Sequence, residues 1–296
     1  MKSGFVSIIG RPNVGKSTLL NALLDFKVAI VSDVSGTTRN IIEGIYNDDD
    51  SQIVFLDTPG IHKPKSKLGR ILNKESYSLT KDVDVLLFVV DAKKGLGKGD
   101  EFILETLKKE SVPVFLVINK IDGLKNEEII YRIEEYKDLY PFSEIIPVSA
   151  LKKDNLDRLV SVIKKYLQGN IRYFDSDMIT SCPMNFLVSE IVREKLLHVT
   201  TEEVPHSLTC LTTKYEEKTN IINICVDIIV DRDSIKKMII GRGGERLKLV
   251  GTEARKDIEA LVNKKVYLEL YVKTIKNWRE KTPVLIDLGF DEKMNK

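Results

Sequence analysis

The sequence predicts an α/β domain with a mostly parallel sheet flanked by helices, followed by a smaller α+β domain. Three observations carry this expectation. Short β-branched runs alternate with helix-period segments from Phe5 to about Leu167. Periodicity then breaks in the stretch GNIRYFDSDMITSCP, which ends in Pro183. Beyond it the order changes to helix, two strands, two helices around a glycine-rich loop, and a strand. With 296 residues and roughly 150 per domain, the expected division is 1–168, a linker over 169–183, and 184–296 including a C-terminal extension.

Strands are expected at Phe5–Ile9, Ile41–Tyr46, Ile53–Leu56, Val83–Val90, Val112–Ile118 and Ile145–Val148, each short and bounded by turn or polar residues. Apolar residues at three- and four-residue spacing place helices at Lys16–Leu24, Leu68–Leu79, Asp100–Lys109, Glu127–Leu139 and Asn155–Leu167. Only Asn47–Gln52 separates the second and third strands, too little for a crossover helix, so that pair should be antiparallel. The second domain should hold a helix over Met184–His198, strands over Ser207–Tyr215 and Ile221–Val230, two helices flanking Gly241–Gly244, a strand over Val266–Lys273 and a last helix over Ile275–Glu280.

Composition narrows the function classes. The 46 Lys+Arg against 44 Asp+Glu leave a net charge of +2, so nucleic-acid affinity would have to come from local patches. Cys182, Cys210 and Cys225 stand far apart beside only three histidines, which disfavours a disulfide framework or a zinc site and suits a reducing cytoplasm. No apolar run approaches the roughly 18 residues of a membrane span. The start, MKSGFVSIIG, lacks a basic region and a small-residue cleavage site, so no leader is expected.

Gly10-Arg-Pro-Asn-Val-Gly-Lys-Ser17 matches GxxxxGK[ST] between an apolar strand and a helical pattern. Glycines there let successive backbone N–H groups converge on phosphate oxygens, and the following helix offers its positive end. Lys16 can neutralise β- and γ-phosphates, and Ser17 can give a hydroxyl to Mg2+. Gly10, Arg11, Pro12, Asn13, Val14, Gly15, Lys16, Ser17 and Thr18 are therefore the phosphate-binding candidates. Asp57-Thr-Pro-Gly60 ends the third strand, where the carboxylate can hold Mg2+ and the Gly60 N–H can meet a γ-phosphate. Asn119-Lys-Ile-Asp122, with Lys120 between, ends the fifth strand. The Asp122 carboxylate can accept the adjacent N1–H and N2–H2 donors of guanine, which adenine lacks, so the pattern selects GTP over ATP. Ser149-Ala150-Leu151 ends the sixth strand, where a backbone N–H can meet the guanine O6. All lie at carboxyl ends of strands, where open α/β sheets bind ligands. Ser35-Gly-Thr-Thr-Arg39 reads as a switch loop that completes the Mg2+ shell through Thr38, with Thr37 as the alternative.

With these five motifs the first domain resembles the translation-factor-like small GTPases. It departs from the Ras pattern at Ile61, where a glutamine would orient the attacking water. The resemblance then implies the subclass in which Asn13 helps hold K+ in place of an arginine finger, with Asn13, Lys16, Thr38 and Gly60 as the catalytic set. His62 is the other candidate, as general base, although a histidine beside Lys63, Pro64 and Lys65 reads first as solvated.

In the second domain, Ile239-Ile-Gly-Arg-Gly-Gly-Glu-Arg246 carries GxxG between two helical segments with two strands ahead, the order of a type II KH fold, whose loop clamps nucleotide backbones. From Arg232 to Lys248, six basic residues (Arg232, Lys236, Lys237, Arg242, Arg246, Lys248) face Asp233 and Glu245, a local +4. Lys236, Lys237, Gly241, Arg242, Gly243, Gly244, Arg246 and Lys248 are the RNA-binding candidates. Tyr267 and Tyr271 read as cover on an exposed sheet face, and Trp278 as packing, with base stacking the alternative for each.

One GTPase domain followed by one type II KH domain resembles the Era family of bacterial ribosome-assembly GTPases. That resemblance implies GTP/GDP and Mg2+ as cofactors, binding to the 3′-end region of small-subunit (16S) ribosomal RNA and to the immature small subunit, a role in 30S assembly and rRNA maturation, and peripheral contact with the cytoplasmic face of the membrane. A monomer is expected. The residues alone support a guanine-nucleotide switch joined to a single-stranded RNA binder. The alternative is a GTP-liganded RNA chaperone or adapter in which hydrolysis is incidental.

Overall fold

A computed structural model describes residues 1–64 and 66–290; Lys65 and residues 291–296, the end of the expected second domain, lie outside the described residues. The first sheet has the order β2-β3-β1-β4-β5-β6, with β1 Lys2–Ile9, β2 Ile42–Asn47, β3 Ser51–Asp57, β4 Val85–Asp91, β5 Val114–Asn119 and β6 Glu144–Pro147. Only β2 is antiparallel to its neighbour. The central strands β3, β4 and β5 are buried along their whole length, as continuous β-branched runs covered on both faces must be. Helices α1 Lys16–Leu24, α2 Lys67–Ser78, α3 Lys98–Leu107, α4 Asn126–Lys137 and α5 Leu156–Tyr166 supply that cover.

Register decides where the chemistry gathers. Ile8 pairs with Asp57, Ile9 with Phe88, Asp91 with Asn119, and Ile118 with Pro147. The carboxyl ends of all five parallel strands therefore finish at one edge, and the P-loop, Asp57, Asp91, Asn119 and Ser149 emerge side by side.

Residues 169–183 run along the free edge of β2. The Ile45 N–H donates to the Ile179 carbonyl (2.7 Å), the Thr180 hydroxyl to the Glu43 carbonyl (2.5 Å), and the buried Gln52 side chain bonds the Tyr173 and Phe174 backbone. An unpaired row of N–H and C=O groups is thereby partly satisfied.

The second unit comprises α6 Met184–Val199, α7 Val204–Ser207, β7 Leu208–Glu217, β8 Ile221–Val230, α8 Asp233–Ile240, α9 Glu245–Val262 and β9 Lys265–Thr274, closed by α10 Thr282–Asp287. Its sheet, β7-β8-β9, is antiparallel then parallel. Ile222, Ile224, Val226, Ile228 and Val230 face the helices. The opposite face is exposed at Tyr267 and Tyr271, whereas at the other end of β8 Ile229 packs with Leu68, Ile71 and Leu72 of α2 and with Trp278, Leu285 and Phe290. Trp278 is fully buried and donates its indole N–H to the Ser207 carbonyl (2.9 Å).

One expected element is corrected. No helix spans Ile275–Glu280: Asn277 adopts φ 52°, a 3₁₀ turn covers Trp278–Glu280, and the helix starts at Thr282, where Pro283 suits a first turn. Among the described residues no helix is long and apolar enough to cross a membrane.

Helix α2 contains a part-buried Glu75 whose carboxylate has no hydrogen-bond or ion-pair partner among the described residues. Burial alone raises it from 4.5 to about 7. The folded chain thus holds the proton more tightly than the unfolded chain, so stability falls as pH rises from about 4.5 through about 7. Glu75→Gln should add stability on the order of 1 kcal/mol at pH 8 after allowing for solvent screening, seen as a higher melting temperature, and leave the melting temperature unchanged at pH 4. Equal melting shifts at both pH values would show that the carboxyl does not titrate between them.

Candidate functional site

The P-loop backbone is shaped by close approaches. Gly10 has φ 153°, and a Cβ there would lie 2.4 Å from the Val89 carbonyl oxygen; Gly15 has φ 95°, and a Cβ would lie 2.4 Å from Asn119 Nδ2. Gly60 faces the same loop, with Pro12 backbone 2.8 Å from any Cβ. Helix α1 begins at Lys16, so its unpaired N-terminal amides open into the pocket lined by Pro12, Asn13, Gly15, Lys16, Ser17, Thr18 and Gly60. The Arg11 side chain does not join them. Its guanidinium turns outward to the buried Asp100 carboxylate (2.7 Å) and the Gly95 carbonyl (2.9 Å), which fixes the loop from behind.

Lys16 is 5% exposed and donates to the carbonyls of Gly10 (3.3 Å) and Arg11 (3.1 Å); burial pulls it down to about 8, against the attraction of Asp57. Asp57 is fully buried. Burial pushes its carboxyl up to about 6, with Lys16, Ser17 and Thr38 opposing. Its Oδ2 accepts the Ser17 hydroxyl (2.6 Å), Ser17 Oγ lies 2.8 Å from Thr38 Oγ1, and Asp57 Oδ1 is buried with no partner. An orphaned carboxylate oxygen beside two hydroxyls is the hard oxygen set that suits Mg2+, which binds through one or two carboxylates plus phosphates. Ser17, Thr38 and Asp57 would hold the ion, which when bound would supply positive charge against the phosphates. Thr37 is turned elsewhere, its hydroxyl meeting the Val34 carbonyl and Ser32 Oγ, both at 2.6 Å.

At the base end, Asn13, Gly15, Thr18, Lys93, Lys94, Asn119, Lys120, Asp122, Ala150 and Leu151 help line a cavity of about 390 Å³. Asn119 is 1% exposed and acts as a tie: its amide donates to the Val14 carbonyl (2.9 Å) and its oxygen accepts the Ala150 N–H (3.0 Å). Lys120, at φ 67°, bonds the Asn13 carbonyl (2.6 Å) and the buried Asp91 (2.8 Å). Asp122 accepts Ser149 Oγ on one oxygen (2.8 Å) and Lys93 Nζ on the other (2.6 Å); the Lys93 bond holds it below the usual carboxylate range. Asp91 and Lys93 were not among the sequence candidates, although Asp91 ends a parallel strand at the ligand edge as Asp57 does.

The water-orienting position is apolar and inaccessible. Ile61 is 1% exposed and packs with Ile9, Phe88 and Val90, while its N–H donates to the Gly10 carbonyl (3.2 Å). His62 is exposed, with Nδ1 2.9 Å from the Gly60 carbonyl.

In the second domain Gly241, Gly243 and Gly244 take φ 75°, 60° and 82°. A Cβ on Gly243 or Gly244 would meet nothing within 4 Å, so these two serve conformation and open access rather than packing. Lys237, Arg242 and Lys248 are exposed, Lys236 is part-exposed, and none of the four forms an ion pair among the described residues. Arg246 donates one guanidinium N–H to the Met238 carbonyl (2.5 Å), closing the end of α8. Beside the loop runs a groove of about 400 Å³ lined by Gly244, Leu247, Lys248, Gly251, Thr252, Arg255, Leu268 and Leu270. Gly251, Thr252 and Arg255 had no sequence signal, being ordinary residues one helical turn or more past the GxxG loop.

The fold and the two sites define a P-loop GTPase domain joined to a KH domain. A family model described as a 50S ribosome-binding GTPase matches residues 5–120, and a KH domain model matches residues 203–279. Two solved structures are each 42% identical, with a TM-score of 0.95, over 98% of this chain and 99% of theirs. One is a variant of Aquifex aeolicus Era bound to GDP·AlF4−, the other Era in complex with MgGDPNP and nucleotides 1506–1542 of 16S ribosomal RNA. The chain belongs to the Era family. It is a GTPase, with GTP/GDP and Mg2+ as its cofactors.

Asp122→Asn should weaken GTP binding on the order of a hundredfold and improve xanthosine triphosphate binding, because the extra xanthine carbonyl accepts from the new amide. Titration with both nucleotides decides it. Unchanged GTP affinity with no gain for the xanthine nucleotide would remove Asp122 from the guanine edge.

Proposed function

We propose that this chain is a GTP-hydrolysing switch that binds the 3′-end region of small-subunit ribosomal RNA on the immature small subunit and acts in 30S assembly and rRNA maturation. The supporting observation is one continuous structure in which the switch loop and the helix that follows the Asp57–Gly60 turn both touch the second domain: Arg39 bonds the Leu208 carbonyl (2.5 Å) and α2 packs on Ile229. A change around the γ-phosphate is thereby felt by the domain carrying the GxxG loop, so nucleotide state alters RNA affinity. The Era structure holding 16S nucleotides 1506–1542 supports the choice of RNA. The functional halves are residues 1–168 and 184–296, with 169–183 as connector, acting as a monomer. This reading places the protein in the cytoplasm, where precursor subunits are; peripheral membrane contact rests on family resemblance alone.

In the nucleotide pocket the amides of residues 13–18 and Lys16 hold the phosphates, Gly60 meets the γ-phosphate, Asp122 with the turn at Ser149, Ala150 and Leu151 reads the base, and Asn119 and Lys120 hold the pocket walls together. With Ile61 buried, water is positioned by other means. Asn13 commits its amide N–H to the Asp33 carbonyl (2.7 Å), leaving Oδ1 without a partner among the described residues, an oxygen suited to a K+ ion. Hydrolysis should run severalfold faster in KCl than in NaCl at equal ionic strength, and Asn13→Ala should erase the difference while GTP still binds. Equal rates in the two salts for the unaltered protein, with and without RNA, would discard the K+ reading.

On the RNA side, changing Arg242 and Gly243 together to Asp places two negative charges where phosphates approach. RNA affinity should fall at least tenfold. Residual binding should depend less on salt, because fewer counterions are released, and GTP turnover without RNA should persist. A folded double variant that binds small-subunit RNA as before would overturn the KH reading.

A further inference from the structure

Thr38 is flanked by two residues whose backbone or side chain is anchored in the other domain. The Thr37 carbonyl, one peptide before it, accepts a hydrogen bond from Arg193 Nη2 on α6. Arg39, one residue after it, is 6% exposed, donates to the Leu208 (2.5 Å) and Pro205 (3.2 Å) carbonyls, and lies over the Trp278 ring at 5.9 Å. The upstream end of the same loop is tied down as well: the Val31 N–H donates to Glu194 Oε1 (2.9 Å) on α6. Between these anchors the Thr38 hydroxyl stands 2.8 Å from Ser17 Oγ, beside Asp57.

Arg193 is built for this contact. It is 1% exposed, and Glu190, one turn earlier on α6, takes Nε (2.7 Å) and Nη2 (2.5 Å) in a two-pronged pair that fixes the plane of the guanidinium. Its remaining nitrogen, Nη1, is buried without a partner. An unsatisfied buried donor costs stability, so packing alone does not explain an arginine here. A lysine could not reach the Thr37 carbonyl and hold Glu190 in the same planar geometry.

We propose that Arg193, on the helix that opens the second unit just ahead of the KH match, is a positioning residue for the GTPase reaction. By fixing the peptide before Thr38 it presents the threonine hydroxyl to the Mg2+ site, so the second domain completes the hydrolytic centre of the first. This rests on the reading of Ser17, Thr38 and Asp57 as the Mg2+ ligands. Switch-loop threonines contact the ion in the triphosphate state and release it after hydrolysis, so loss of Arg193 should be felt with GTP and hardly with GDP.

The test is a double-mutant cycle in the full chain: Thr38→Ala, Arg193→Met and both together, with Arg193→Lys as the conservative variant. For each, kcat, the Mg2+ concentration for half-maximal turnover, GDP affinity, affinity for a non-hydrolysable GTP analogue, and the melting temperature are measured. Arg193→Met should lower kcat about tenfold and raise the Mg2+ requirement severalfold, with GDP affinity within about twofold. Arg193→Lys should restore part of the loss. On Thr38→Ala, the second change should add less than about twofold. A full tenfold loss added on top of Thr38→Ala, or equal weakening of GDP and GTP-analogue binding, would overturn the proposal by showing a general structural role. If Thr38→Ala leaves turnover and its Mg2+ dependence unchanged, the ligand reading itself fails and the proposal falls with it. Should Arg193→Met not fold, Arg193→Lys runs the same cycle: its own smaller loss of kcat should all but vanish on Thr38→Ala, and persistence of that loss in full would overturn the proposal.

Discussion

A carboxylate sealed from water with one oxygen unpartnered is unstable unless a cation arrives, and Asp57 is in that position. Much of the nucleotide site is arranged around it. Lys16 opposes its charge from inside the P-loop, Ser17 donates to it from the first turn of α1, and Thr38 closes in from the switch loop. The parallel register carries Asp57 to the same edge as the P-loop, so the carboxylate, the helix N-terminus and the lysine converge without any long side chain having to reach. Lys16 offsets part of the charge, and a Mg2+ ion arriving with the nucleotide would offset the rest while the triphosphate in turn occupies Lys16. Nucleotide binding and the electrostatic satisfaction of the core are thus one event.

The same requirement extends into the second domain. Thr38 can meet Ser17 only if the extended, aperiodic loop that carries it is held, and the loop has few internal bonds: the Ser32, Val34 and Thr37 contacts form one tight turn. Much of the remaining restraint comes from α6, α7 and the start of β7, with Asn13 of the P-loop adding a bond to the Asp33 carbonyl. On the other side of the pocket, α2 uses one face, through Asn73 and Ser76, to hold the His62 and Pro59 carbonyls (2.6 and 3.0 Å), and another, through Leu68, Ile71 and Leu72, to cover the KH sheet. One helix therefore touches the loop after Asp57 and the sheet of the second domain together.

The parts of this arrangement that a reader of the sequence can find are those in which one local pattern encodes one local structure. GxxxxGK[ST], the alternating strands and helices, and GxxG all belong to this kind, because backbone conformation and periodicity are short-range properties. What stayed hidden depends on partners far along the chain, or on local side-chain and backbone choices that spacing does not encode. Arg39 ends the expected switch loop and Arg193 falls within the expected Met184–His198 helix, and nothing local marks either arginine as buried against another domain. Arg246 reads as one more charge in a basic run, and nothing in that run shows that it also closes the end of α8. The Ile275–Glu280 helix failed because Asn277 accepts a left-handed conformation that ends regular structure, while Pro283 starts the helix further on. The choice between Thr37 and Thr38 needed side-chain direction, which spacing cannot supply in an aperiodic loop.

The connector along β2 bears on how the chain matures as it is made. Ser3 and Gly169 exchange backbone hydrogen bonds at 2.9 Å, and the segment through Thr180 then lies against the outer side of the sheet. During synthesis every strand of the first domain is complete before this cover emerges, so a nascent chain halted near residue 168 presents a bare strand edge able to pair with a neighbour. A first domain released at that point would invite self-association, whereas one ending after Cys182 brings its own edge protection. The segment between the domains is in this sense the last strip of the first domain's surface.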